Sequence, residues 1–224
     1  MNEKRWFTCK EPRALLEHVG KTERWTGRKV RLFAVACCRR VVHLMPARTV
    51  RAALETAEQF ADGRATAKKL KSAADRAWAA QQGPFPDDER AELGAYATAA
   101  EAVYRLCGPP DEMDITEVLD GIYSATVCDP DNPEEEDTVQ VAFVREIFGN
   151  PFRPVAFSPS WRTSTVLALA SQMYESRDFS AMTILADALQ DAGCDNDAVL
   201  YHCRDAAQVH VRGCWVVDLV QDKV

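Results

Sequence analysis

The 224-residue chain reads as an all-α protein, a compact array of about ten helices in a single domain. Three observations predict this. Apolar residues recur at spacings of three and four over most of the length. Gly and Pro fall between those segments rather than inside them. No stretch alternates apolar and polar residues with the period of two that a half-buried strand needs.

Each element follows from those signals. Pro12 to Val19 opens with a proline in the first turn, where a missing N–H is harmless, and closes at Gly20. Arg28 to Met45 is a long apolar segment with basic ends, stopped by Pro46, whose ring clashes with a continuing helix. Arg48 to Asp62 ends at Gly63 and Ala65 to Gln82 ends at Gly83-Pro84, which makes the pair a helical hairpin. Asp87 to Cys107 starts with acidic residues at the positive end of the helix dipole and finishes at Gly108-Pro109-Pro110. Thr116 to Val127 is a shorter helix.

The stretch from Asp129 to Asp137 combines prolines with dense negative charge and reads as an exposed loop joining lobes 1–128 and 138–224. Thr138 to Phe148 then ends at Gly149. Pro151, Pro154 and Pro159 make the next segment largely extended, because proline disfavours helix in the residue before it. Three helices follow: Ser164 to Tyr174, Ala181 to Ala192 capped by Ser180, and Asn196 to Arg204 capped by Asp195. Gly213 to Val220 closes the chain.

Composition bounds the function. With 47% hydrophobic and 27% charged residues the chain is that of an ordinary folded protein. The start lacks the apolar run of a signal peptide, and no segment makes an uncharged membrane span, so the expected location is the cytoplasm. The eight cysteines are accordingly expected reduced. Net charge is −7, split into +10 over residues 1–82 and −17 over residues 83–224. Two oppositely charged surfaces account for this; an anionic partner for the first part is the sharper alternative.

The densest set of chemistry-bearing residues lies at the end: Cys194, His202, Cys203, His210 and Cys214. Cys, His and their spacing C-x8-C-x6-H-x3-C supply donor types that complete tetrahedral zinc, without the tight C-x2-C pair of a standard finger. An antiparallel pairing of the last two helices brings Cys203 towards Cys214 with His210 above them. Nine helical residues would hold Cys194 on the order of 13 Å from Cys203, so His202 or water has to supply the fourth ligand. The metal reading therefore rests on Cys203, His210 and Cys214.

Cys37 and Cys38 share the apolar arc of their helix with Val30, Phe33, Ala34, Val41 and Leu44, whereas His43 falls in the opposite arc, so the pair is expected buried and inert. The cationic arc Arg28, Lys29, Arg31, Arg39 and Arg40 is interrupted by Leu32, Val35 and Ala36. Nucleic-acid binding needs a continuous basic stripe, and the sequence pI is near 5.2, which speaks against it. The simpler reading is a core helix whose basic ends meet acidic neighbours. No phosphate loop, nucleophile elbow or H-E-x-x-H helix is present, and Asp187, Asp191 and Asp218 are spaced like solvated helix faces. No residue is nominated as catalytic. In His210-Val-Arg-Gly-Cys-Trp215, Trp215 is expected to anchor the last helix while Arg212 reaches a carboxylate.

The blocks Val30-Arg-Leu-Phe-Ala-Val-Ala-Cys-Cys-Arg-Arg40, Phe148-Gly-Asn-Pro-Phe-Arg-Pro154, Ile184-Leu-Ala-Asp-Ala-Leu-Gln-Asp-Ala-Gly-Cys194, His202-Cys-Arg204 and His210 to Trp215 carry a resemblance. The chain is similar to a much-duplicated family of planctomycete-type bacterial proteins of unknown function. That resemblance implies a whole protein or module and brings no activity, cofactor or partner with it. The residues favour a non-enzymatic helical interaction or regulatory module acting on another protein, with neither membrane nor nucleic acid as partner. A zinc-binding module built on the C-terminal cluster is the alternative. A cysteine-dependent enzyme would need a thiol within hydrogen-bond reach of a histidine in an apolar pocket.

Overall fold

A computed structural model describes residues 1–44, 48–81, 90–108, 114–127 and 136–223, with backbone only over 80, 81 and 90–96. Among the described residues there are twelve α-helices and no strand. They are α1 (Glu3–Thr8), α2 (Pro12–Val19), α3 (Gly27–Arg40), α4 (Arg48–Ala61), α5 (Ala67–Gln81) and α6 (Arg90–Leu106), then α7 (Ile115–Val127), α8 (Glu136–Phe148), α9 (Ser164–Ser176), α10 (Met182–Asp191), α11 (Asp197–Arg204) and α12 (Trp215–Gln221). Short 3-10 turns occupy Val42–Leu44 and Pro159–Trp161. The all-α array read from the sequence is thus the observed one.

α1 was not legible in the apolar period, being too short to show one. Asn2 makes it: its side-chain oxygen accepts from the Arg5 amide, satisfying one of the free N–H groups of the first turn. Two caps differ from expectation. α11 is capped by Asn196, not Asp195, through the Val199 amide at 3.2 Å, and α10 starts after Ala181 with no side-chain cap. α3 stops at Arg40, where the β-branched pair Val41-Val42 and the approach to Pro46 hand the chain to a 3-10 turn. Of the acidic stretch 129–137, residues 129–135 lie outside the described residues, while Glu136 and Asp137 already belong to α8.

The chain divides into two compact units, Met1–Cys9 with Val141–Val224, and Lys10–Gln140. In the second, α3 packs against α4, α6 and α7 and is buried nearly all round. Cys37 and Cys38 are fully buried, as their arc predicts. Gly121 on α7 permits close packing on α6, since a Cβ there would stand 3.1 Å from both the Ala102 Cβ and the Thr98 carbonyl. The basic ends of α3 meet acids: Arg28 with Asp62 at 3.3 Å, Arg39 with Glu55 at 2.9 Å and Glu58 at 3.1 Å, and Arg40 with Glu136 at 2.9 Å. Arg31 does not belong to a solvated arc. It is 1% exposed, donates to the carbonyls of Leu106 and Gly108 at the end of α6, and lies over the Phe60 ring.

The first unit is built round a core contributed by α9 to α12, including Val166, Tyr174, Leu185, Leu189, Val199 and Val217. α1 joins it through Arg145 of α8, whose guanidinium donates to the carbonyls of Trp6 and Cys9, both at 2.8 Å. Asp218 is buried in α12 among Val216, Val217 and Val220, which overturns its reading as a solvated face. A helix of seven residues whose core side wraps this far leaves little exposed arc.

Candidate metal centre

The C-terminal unit brings four chemistry-bearing side chains together: Glu146, His202, His210 and Cys214, with donor atoms all within 4.8 Å of one another. Each is placed by a local feature. Glu146 sits in the last turn of α8, two residues before the helix ends at Phe148. His202 lies on α11, held by the Asn196 cap. His210 is carried by the connection between α11 and α12. Cys214 is the N-cap residue of α12 and follows Gly213, whose φ of 99° is a left-handed conformation that favours glycine.

Glu146 is fully buried, and a carboxylate there needs partners. Oε1 accepts from His210 Nδ1 at 3.1 Å and from the Val211 amide at 3.4 Å. Oε2 lies 3.3 Å from His202 Nε2 and accepts from Gln208 Nε2 at 3.4 Å. His202 Nε2 is also 3.2 Å from Cys214 Sγ. The other ring nitrogen of His202, Nδ1, accepts from the indole N–H of Trp215 at 3.1 Å. Burial pushes the His202 imidazole below the ordinary histidine range, opposed by the charge of Glu146 and reinforced by His210. Burial pushes the Cys214 thiol well above its usual range, and the Glu146 charge adds to it, outweighing the helpful Val217 amide at the start of α12.

Of the residues that the sequence nominates, His210 and Cys214 converge and Cys203 does not join them. His202, named as the substitute ligand, is in the group instead. One position along a helix turns a side chain by about 100°, and here that turn carries Cys203 away from the group that His202 joins. Cys203 enters the apolar core with Cys194, and burial pushes its thiol up to about 12. Cys194 precedes α11 rather than starting it, so the helical separation assumed for the two cysteines does not apply; their charges interact. Glu146 is absent from the sequence reading. Its signal was available: a carboxylate in a helix's last turn opposes the dipole, and Glu146 stands there between Val144 and Ile147-Phe148 with no nearby reason in sequence.

Arg212 and Trp215 support the centre. Arg212 donates to the Tyr174 carbonyl at 2.9 Å, meets Glu175 at 3.1 Å and lies over the Tyr174 ring. Trp215 rests on the core and its ring is 5.0 Å from that of His202. Elsewhere, a cavity of about 780 Å³ in the other unit is lined by Phe60, Leu70, Ala74, Tyr104 and Cys107, with charged residues at its rim. Cys107 there has its thiol pushed up to about 12 by burial, and no histidine is among the described lining residues. Comparison of the chain with protein-family models, curated proteins and solved structures finds no match.

Proposed function

We propose that the unit containing α8 to α12 is a metal-binding module whose ion, of the zinc class, is held by Glu146, His202, His210 and Cys214. The observation that carries this is the convergence of one thiol, two imidazoles and one carboxylate from three separate parts of the chain onto a single buried point. Zinc bonds of about 2.0 to 2.3 Å imply ligand-to-ligand edges of about 3.3 to 3.8 Å in a tetrahedron. Three of the six donor pairs stand at 3.1, 3.2 and 3.3 Å, at or just below that range, and all six lie within 4.8 Å, so closing on an ion needs side-chain adjustment.

The chemistry of the donor set agrees. A divalent ion supplies the positive charge that a buried thiolate and carboxylate lack, and it deprotonates Cys214 against the effect of burial. Four protein ligands leave no position for substrate, so the ion would serve as a staple joining α8 to the α11–α12 connection rather than as a reaction centre. A protein-interaction role, which composition favours, would need an apolar face. The exposed large apolar side chains of this unit among the described residues, Met1, Phe7, Leu167, Ile184, Tyr201 and Val209, are scattered over separate segments, as on ordinary surfaces.

Elemental analysis of protein purified without chelator tests the proposal. About one equivalent of zinc per chain is expected, with Cys214→Ser and Glu146→Gln each releasing it and Cys203→Ser retaining it. Folded protein that carries no metal and takes up neither zinc nor cobalt(II) on titration would overturn the reading.

A further inference from the structure

His202 differs from the other three members of the group in what its second nitrogen does. An indole N–H is a donor only, so the Trp215 contact at 3.1 Å requires an unprotonated nitrogen at His202 Nδ1. A flipped ring would put a C–H against the indole N–H, so the ring orientation is fixed as well. Neutral imidazole carries one proton, which therefore sits on Nε2. From there it points between Glu146 Oε2 at 3.3 Å and Cys214 Sγ at 3.2 Å. With that proton on Nε2, the nitrogen that faces the cluster has no lone pair to offer an ion. This is the reverse of the usual metal-ligating histidine, whose free nitrogen donates to a carbonyl or carboxylate.

We infer that Trp215 is a positioning residue that holds His202 in the tautomer unable to bind metal, so that ion uptake requires the indole–imidazole hydrogen bond to break. This inference rests on the metal-binding reading of the same cluster. The proton balance is definite. The His202 proton moves from Nε2 to Nδ1 through solvent, Cys214 loses one proton outright, and the His202 imidazole stays neutral. Once His202 Nδ1 bears hydrogen, it faces the Trp215 N–H donor to donor, and the indole has to turn away. Trp215 is only partly buried. The apo network, with Trp215, His202 and Glu146 in series, thereby competes with the ion for the same site.

The test compares wild type with Trp215→Phe, which keeps the aromatic anchor and removes the N–H. Chelator competition with zinc should show Trp215→Phe binding about three- to tenfold tighter, the value of one neutral hydrogen bond. Cobalt(II) should give both proteins the same thiolate charge-transfer band and four-coordinate spectrum. Nitrogen-15 NMR of imidazole-labelled wild type should show His202 as the Nε2–H tautomer without metal and as the Nδ1–H tautomer with zinc. The NMR reading stands even where Trp215→Phe folds poorly. Equal or weaker binding by a folded Trp215→Phe, or an Nδ1–H tautomer in the metal-free protein, overturns the inference while leaving metal binding intact. Absence of any cobalt(II) spectrum in either protein, with the Nε2–H tautomer present, removes the metal reading itself and the inference with it.

Discussion

Thiols and guanidiniums in this protein are governed by burial more than by their neighbours along the chain. Cys37, Cys38 and Cys107 lie in apolar surroundings, and desolvation raises each thiol, Cys107 to about 12. A raised value keeps the sulfur protonated as pH climbs, so at pH 9 these three should resist a thiol reagent while partly buried Cys9 reacts. Site-resolved mass spectrometry of labelled native protein checks this, and early modification of Cys37 or Cys38 would contradict the packing of α3. Arg31 is the complementary case, a buried cation held by two carbonyls and an aromatic face. Arg31→Met should cost about 2 to 3 kcal/mol in denaturant unfolding, because two carbonyls at the C-terminal end of α6 lose their charged donor. Arg31→Lys should recover little, since a single ammonium does not reproduce the forked contact to two carbonyls.

The same device recurs at the scale of the helix. Arg145 donates to the carbonyls that end α1, Arg162 to those of Leu219 and Val220 at the end of α12, and Arg212 to that of Tyr174 near the end of α9. Helix C-termini carry free carbonyls and partial negative charge, and a guanidinium from a distant segment satisfies both. Four arginines thus act as tertiary caps, and two of the helices they cap, α9 and α12, have no basic residue of their own in the last turn. At the opposite ends, short polar side chains do the work. Asn196→Ala should lower stability by about 1 kcal/mol through loss of the α11 cap, whereas Asp195→Ala should be close to neutral. Equal effects from the two substitutions, measured by thermal unfolding, would restore Asp195 as the cap. Because α11 carries His202, the Asn196 variant is also expected to weaken metal retention.

For the whole molecule, the two compact units make separable predictions. An ion held by Glu146, His202, His210 and Cys214 would tie α8 to the C-terminal helices of one unit alone. Calorimetry with and without excess chelator should shift the melting of that unit downwards and leave the other unchanged. A metal present at a thousandfold over its dissociation constant stabilises by about 4 kcal/mol, enough to move a transition by several degrees. A single transition indifferent to chelator would contradict both the site and its confinement. The sequence by itself determined the class of the fold and most helix boundaries, because a period near 3.6 and the Gly and Pro stops are local properties of the chain. It also determined that Cys37 and Cys38 face inward, since a helical arc needs no partner to be read. Only the tertiary structure decided which donors meet. Glu146 lies 56 residues before His202 in sequence, and no local period links them. Whether His202 or Cys203 faces the centre depends on the rotation of α11 about its axis, which packing against α10 and α12 sets and sequence spacing does not.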